Sequence, residues 1–495
     1  MPTADAPAHT HALAQRLRAI GQGHVLNFES RLRSDQRASL WAQLASLDLD
    51  ALPSLIERYV QSKPTAAIAG AIHPVPAYPL HPTPAAPAWD RAAYTSRGID
   101  LLRAGKVAAF TVAGGQGSRL GFEGPKGCYA GGSVTGKPLF ACLAEWIIAA
   151  QHRWCPPAVM IPWYIMTSPA NHAATVSFFD EHRFFGLARE NVMFFPQGVA
   201  PALEIGTGRL LMASPCELSL APDGHGGSLK ALLASGAIAD MRRRGIEHIS
   251  YTQIDNPLVK VIDPLFLGLH AFAPDSSAEM STKIVAKAHA HEKVGLLCRV
   301  GSEGAERTAV IEYSDLPAEL ATATNPDGSL RYNAGNIAIH IISVPFIERL
   351  FAPGSGGAAA AMPWHRADKK IACIDPSTGA RIEPAAPNAV KLEMFVFDAL
   401  PLCRQSVVLE TDREEFAPIK NATGPDSVET CRDLQTARAA RWLTASGHAV
   451  PTRPDGAPDC TLELSPLVAL EPADLRGKSL AQPITRGCKV NVQTL

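Results

Sequence analysis

Residues 106–126 read KVAAFTVAGGQGSRLGFEGPK, and the chemistry of the chain is concentrated there. Gly114, Gly115 and Gly117 crowd one turn, and two cations follow, Arg119 and Lys126. Glycine admits positive φ and lets backbone approach a ligand closely. Successive backbone N–H groups in such a turn form a nest for anions. Pro125 stiffens the approach to Lys126. A nest with two fixed cations suits the phosphates of a nucleoside triphosphate.

Two generic glycine motifs fit less well. The dinucleotide fingerprint G-x-G-x-x-G fails because, after Gly115 and Gly117, the third glycine arrives one residue late, at Gly121. Residues 131–137 match the G-x-x-x-x-G-K of a phosphate loop, but Pro138 occupies the place of the metal-binding hydroxyl and no buried strand leads in. An ordinary tight turn is the default for a lone G-x-G. The added cations and Pro125 argue against it here.

These residues need a scaffold. Residues 107–113 are apolar apart from Thr111 and read as a buried strand that delivers the glycine turn. A helix that Pro138 can start at its first position and that 139–154 continues, a strand over 159–167, a helix over 172–185 and a strand over 191–195 follow. Ser228 is expected to cap a helix running to Arg244, and residues 248–254 form a strand that ends at Asp255. This alternation predicts an α/β fold with a doubly wound, mostly parallel sheet. Ligands of such sheets bind beyond the carboxyl ends of the strands, where the glycine turn and Asp255 both fall. Asp263 precedes Pro264 and is expected to cap a helix. Short β-rich runs at 283–287, 295–300 and 309–313 predict antiparallel strands over one side of the pocket.

Towards the N-terminus, Leu13, Leu17 and Ile20, then Leu40, Leu44 and Leu47, recur at helical spacing, and 52–59 is helical as well. Prolines between Pro64 and Pro87 predict an extended, semi-rigid segment. Residues 352–361 read as a Gly/Ala-rich surface loop. The expected organisation is a helical segment and linker over 1–95, a catalytic domain over 96–425 and a small C-terminal domain over 426–495. No internal repeat is present.

The pattern G-G-x-G-S-R-L-x4-P-K resembles the signature of pyrophosphorylases that make nucleotide sugars from UTP. It is most similar to the eukaryotic-type UDP-N-acetylglucosamine pyrophosphorylase family. The resemblance continues in order through FPQG (195–198), APDGHGG (221–227), IDNPLVK (254–260), IEYS (311–314), NAGNI (333–337), PNAVK (387–391) and FAPIKN (416–421). It implies a nucleotidyltransferase sheet of the Rossmann-like, glycosyltransferase-A-like kind and one reaction. UTP and a sugar 1-phosphate give a UDP-sugar and pyrophosphate.

That reaction joins two polyanions, so fixed cations and Mg²⁺ are expected to dominate catalysis. Arg119 and Lys126 are the expected cations for the UTP phosphates. By resemblance Lys391 also contacts UTP and Lys420 holds the sugar phosphate. Val112, Ala113, Gly114 and Gly115 pass close to the nucleotide, and Gln197 and Gly224 contact the uracil. Asp255 is the expected Mg²⁺ ligand, since Mg²⁺ takes one or two carboxylates besides phosphate oxygens. Glu312, Tyr313 and Asn336 match sugar-contacting positions, and Gly295 matches a position that leaves room for an N-acetyl group.

The expected sugar is N-acetylglucosamine 1-phosphate. His225 stands where the amino-sugar enzymes usually carry Asn, and a Gly-His-Gly turn resembles the UDP-glucose branch. UTP–glucose-1-phosphate uridylyltransferase, or a broad UDP-sugar pyrophosphorylase, is therefore the alternative. A catalytically dead UDP-sugar sensor is a remote one. Ser118 for Thr and Ala389 for Gly are milder departures.

Composition narrows the remaining classes. At 495 residues several folding units are expected. Lys plus Arg (46) balance Asp plus Glu (47), for a net charge of −1, which argues against a general nucleic-acid or membrane-surface binder. No apolar run is long enough to span a membrane, and the first residues show no basic or apolar leader. Ten cysteines without a C-x-x-C pair point to reduced thiols in the cytoplasm rather than to zinc or a disulfide framework.

Overall fold

A computed structural model describes residues 6–62, 70–81, 89–352 and 362–492. Both ends of the proline-rich segment, 64–69 and 82–87, and the Gly/Ala-rich stretch at 352–361 but for its first residue, lie outside the described residues.

The sheet unit comprises Ala69–Gln197, Leu229–Ala361 and Phe397–Leu495. Its large sheet has ten strands among the described residues: β1 (Ala71–Pro74), β2 (Val107–Val112), β3 (Trp163–Thr167), β4 (Val192–Pro196), β5 (His248–Gln253), β6 (Met280–Ala286), β7 (Leu296–Gly301), β8 (Arg307–Ile311), β9 (Ala334–Ser343) and β10 (Val408–Glu410). The sheet runs β1-β7-β9-β5-β2-β3-β4, with β8 paired to β7 and β6 to β9 and β10. β5, β2, β3 and β4 are parallel neighbours. β3 is buried along its whole length, as are β2 and β5 but for their last residues, as expected of strands covered on both faces. Phe110, Trp163 and Tyr251 are among the largest fully buried side chains.

The chain leaves β2 toward β3 on one side, while β5 returns on the other. The carboxyl ends of β2 and β5 thus form the switch point where open α/β sheets bind ligands. Gln253 lies opposite Val112, so the turns after the two strands emerge side by side. β9 runs antiparallel to β5, with His340 opposite Tyr251, and its beginning reaches the same end of the sheet. The antiparallel β7 and β8 extend this side, as the sequence predicts.

Helices follow the predicted pattern with local differences. The helix expected from Pro138 spans Leu139–Trp154, with Pro138 as its extended cap rather than its first residue, and Asp263 caps Pro264–Phe272 by accepting from the Leu265 and Phe266 N–H groups. The strand predicted from residue 159 starts only at Trp163, since prolines precede it. The helix expected to reach Arg244 is two, Gly227–Ala234 and Ala237–Arg244, divided at Gly236 with φ +81°. Ser228 lies inside the first and is not its cap.

The other unit comprises Met1–Ile68, Gly198–Ser228 and Met362–Val396. Its core joins Leu17, Leu40 and Leu44 to Leu203, Leu210 and Leu392. Polar clamps tie the segments together: Gln22 donates to the Gly208 carbonyl and accepts from Leu210 N–H, and Gln43 accepts from Leu218 N–H. The packing therefore divides the chain differently from boundaries at 95/96 and 425/426, because segments far apart in sequence share one core. Residues after 425 keep a small cluster of their own around Trp442, Leu443, Leu462 and Leu475, within the sheet unit.

His248 and His270 are buried and sit edge to face, with ring centroids 5.2 Å apart. Burial lowers the His248 pKa to about 4 and that of His270 well below the ordinary value. Both are neutral in the fold and protonate more readily when unfolded. Their contribution is complete above the unfolded pKa near 6.5 and is lost as pH falls toward 4. For His248 alone the loss at pH 5 is on the order of 2 kcal/mol. Thermal unfolding at pH 7 and pH 5 checks this. His248→Gln should narrow the gap between the two pH values, and an unchanged gap would contradict it.

Candidate active site

The turn after β2 is held by its own backbone. Gly117 N–H donates to the Gly124 carbonyl (2.9 Å) and Lys126 N–H to the Gly115 carbonyl (3.0 Å). Positive φ, which the glycines of this turn admit, is taken up at Gly121 (+67°) and Gly124 (+137°). Gly117 is required for close approach, and Gly114 sits tight against a side-chain amide. A Cβ on Gly114 would lie 3.0 Å from Gln197 Oε1, and one on Gly117 would lie 2.6 Å from Phe122. The N–H groups of Gly114, Gly115 and Gln116 donate to no acceptor among the described residues, as a nest for an anion requires.

Beside this turn Lys126 Nζ lies 3.2 Å from Asp255 Oδ2, with side chains only 15% and 14% exposed. The cation predicted for the phosphates and the carboxylate predicted for the metal thus share one spot at the switch point. Val112 and Ala113 lead directly into it. Arg119 stands exposed on a short 3₁₀ turn, Ser118–Leu120, without an ion pair among the described residues. Gln197 follows β4, and its N–H donates to the Thr167 carbonyl at the end of β3 (2.8 Å).

Of the predicted sugar residues, Asn336 and Lys420 come together on the β9 side. A cavity of about 80 Å³ is lined by Asp255, Asn336, Ala338, Phe416 and Lys420 among others. Ile419 N–H donates to the Asp255 carbonyl (2.8 Å), which fixes Lys420 near it. Lys420 Nζ is 3.0 Å from Asp426 and lies over the Phe416 ring. Asn336 N–H donates to the Gly295 carbonyl (2.8 Å), and a Cβ on Gly295 would lie 3.3 Å from Glu312 Oε1. Tyr313 is exposed.

Gly224, His225 and Lys391 belong to the other unit. Gly224 takes φ +85°, and a Cβ there would lie 2.4 Å from the Met394 carbonyl oxygen, so only glycine fits. His225 stacks on Phe395 and its Nδ1 accepts from Val396 N–H (3.2 Å). Burial lowers its pKa to about 4, so the ring is neutral with the proton on Nε2. Lys391 pairs with Glu393 two residues along its strand.

Three features escaped the sequence. Asn171 is 1% exposed and donates to the carbonyls of Ala113 (3.0 Å) and Gly115 (3.3 Å). Ala338 takes φ +53°, and its N–H donates to Asn336 Oδ1. An alanine held left-handed stores strain, which tends to cluster at functional sites. Beneath the site, fully buried Lys283 bridges Asp263 (2.7 Å) and Glu415 (2.6 Å). Burial alone would raise the Asp263 pKa, but Lys283 and Lys260 hold it below the ordinary carboxylate value. Glu415 also accepts from Lys260 N–H, and its carbonyl accepts from Asn256. This network braces the segments that carry Asp255 and Lys420.

The resemblance of 131–137 to a phosphate loop has a structural explanation. The N–H groups of Val134 and Thr135 donate to Glu463 Oε2, at 2.8 and 2.9 Å. Lys137 pairs with Glu145 and Glu463. The loop binds an anion, and that anion is the protein's own carboxylate.

Among the described residues no group of three or more His, Cys, Asp or Glu side chains could hold a metal alone, and no helix is long and apolar enough to cross a membrane.

Over residues 53–451 the chain matches the family described as UTP–glucose-1-phosphate uridylyltransferase. It is 41% identical over 363 residues to the UDP-N-acetylglucosamine pyrophosphorylase of Saccharomyces cerevisiae, covering 72% of this chain and 74% of that protein. It is 35% identical over 500 residues to UDP-N-acetylglucosamine diphosphorylase 2 of Arabidopsis thaliana, covering 97% and 94%. The uridine diphosphate N-acetylglucosamine pyrophosphorylase of Trypanosoma brucei, solved with an inhibitor, superposes with a TM-score of 0.76 at 25% identity, covering 96% and 95%. The fold, the ordered motifs and these matches agree: the chain belongs to the UTP–glucose-1-phosphate uridylyltransferase family.

Proposed function

We propose that the protein is a uridylyltransferase that makes UDP-N-acetylglucosamine and pyrophosphate from UTP and N-acetylglucosamine 1-phosphate. The observation that carries this reading is Lys126 and Asp255 paired beside three unengaged amides at the switch point of the sheet.

An oxygen of the sugar phosphate attacks the α-phosphorus of UTP. The bond from that phosphorus to the bridging oxygen breaks, and pyrophosphate leaves. The nucleophile is already an anion, so the reaction needs no general base. The task of the protein is electrostatic. The amides of Gly114, Gly115 and Gln116 bind phosphate oxygens, and Lys126 and Arg119 neutralise charge that gathers on the leaving pyrophosphate. Lys420 holds the attacking phosphate, and Glu312, Tyr313 and Asn336 orient the sugar, with Gly295 leaving room for its acetyl group. Gln197 reads the uracil edge with an amide that both donates and accepts. The roles implied by resemblance for Gly224, His225 and Lys391 are part of the proposal.

A single carboxylate at Asp255 fits Mg²⁺ bound chiefly through substrate oxygens. Asp255 would hold the ion, which supplies positive charge to the phosphates. Lys126 Nζ, 3.2 Å from the same carboxylate, places a fixed cation beside it. A cytoplasmic setting is supported by the ten free cysteines.

Glucose 1-phosphate is the rival sugar, since the matched family is described by it. Purified protein with Mg²⁺, each nucleoside triphosphate in turn and both sugar 1-phosphates separates the readings. Pyrophosphate should appear with UTP, with the higher kcat/KM for the amino sugar. Release with ATP and none with UTP would overturn the proposal, and a preference for glucose 1-phosphate would overturn the sugar.

A further inference from the structure

Asn171 precedes the helix His172–Glu181, a position where Asn normally caps the helix, yet its side chain makes no capping bond. Its Oδ1 accepts from Ser168 N–H (2.7 Å), which fixes the orientation of the amide. Nδ2 therefore points at the Ala113 and Gly115 carbonyls, at 3.0 and 3.3 Å. Across a trans peptide the N–H points opposite to the carbonyl of the preceding residue. Holding these two carbonyls on the Asn171 side turns the Gly114 and Gln116 N–H groups to the opposite side. The Gly115 carbonyl is also the acceptor for Lys126 N–H, so one oxygen joins the amide of Asn171 to the strap bearing the lysine.

We propose that Asn171 is a positioning residue for the nucleotide phosphates, aiming the Gly114 and Gln116 N–H groups through the carbonyls that its side chain holds. This rests on the reading that UTP binds the turn. Asn171 touches no reacting atom. It removes the freedom of the two peptides to rotate, and a preorganised nest loses less entropy when the phosphates bind.

Asn171→Asp keeps the shape and the contact with Ser168 while removing both donors. Asn171→Ser restores one. Steady-state kinetics of the full chain should show KM for UTP raised about tenfold or more in Asn171→Asp, the scale of losing two such bonds. Asn171→Ser should fall between it and wild type, and KM for the sugar 1-phosphate should stay near wild type in both. A merely structural role would move both KM values together. Equal shifts, or an unchanged KM for UTP, overturn the inference. If Asn171→Asp fails to fold, the split between the two KM values in Asn171→Ser decides. A wild-type protein that releases no pyrophosphate from UTP would instead overturn the functional reading.

Discussion

Lys126→Ala lowers kcat by roughly 10²–10³, the scale for removing one preorganised donor to transition-state charge. The expectation is specific because the substitution leaves the turn in place. The Lys126 bond to the Gly115 carbonyl is made by the main chain and survives truncation of the side chain. What is lost is a largely buried cation beside Asp255. With the pair broken, the carboxylate stands without its counter-charge, so some stability is lost as well. Circular dichroism and a melting curve separate the two effects. A folded Lys126→Ala with wild-type kcat would remove the lysine from the chemistry.

Asp255→Asn tests the other half of the pair. The amide fills the same space, and the main-chain acceptor for Ile419 N–H stays, so Lys420 keeps its place. The charge alone is removed. The Mg²⁺ concentration for half-maximal rate should rise roughly 10²-fold, the upper scale for altering groups around a bound metal, and the rate at saturating Mg²⁺ should fall too. A titration of initial velocity against Mg²⁺ reads both. An unchanged Mg²⁺ dependence would show that the ion is held elsewhere.

How much of this was legible before the fold was known follows from which contacts are local. The run from Val107 into the glycine turn is one uninterrupted apolar stretch, and its burial in the parallel sheet follows from that pattern. Asp255 follows a strand of the same type, so its position at the carboxyl end of the sheet is legible as well. Which neighbours crowd the glycines is not legible, because some are remote in sequence, such as Gln197 against Gly114. Asn171 gave no signal, since it looks like a helix cap and the carbonyls it donates to lie more than fifty residues away. Glu463, which fills the loop at 131–137, is further still. Ala338 was invisible for another reason: nothing in an alanine announces a positive φ. The division into two units was hidden in the same way, for Gln22 and Gln43 reach partners far along the chain.

The most direct test of uridylyl transfer follows the oxygens. N-acetylglucosamine 1-phosphate carrying a heavy-oxygen label in its phosphate is turned over with unlabelled UTP and Mg²⁺, and both products are weighed by mass spectrometry. Attack by the sugar phosphate on the α-phosphorus leaves all the label in UDP-N-acetylglucosamine and none in pyrophosphate. Label in pyrophosphate, or turnover of UTP without a labelled UDP-sugar, would contradict the reaction assigned to this site.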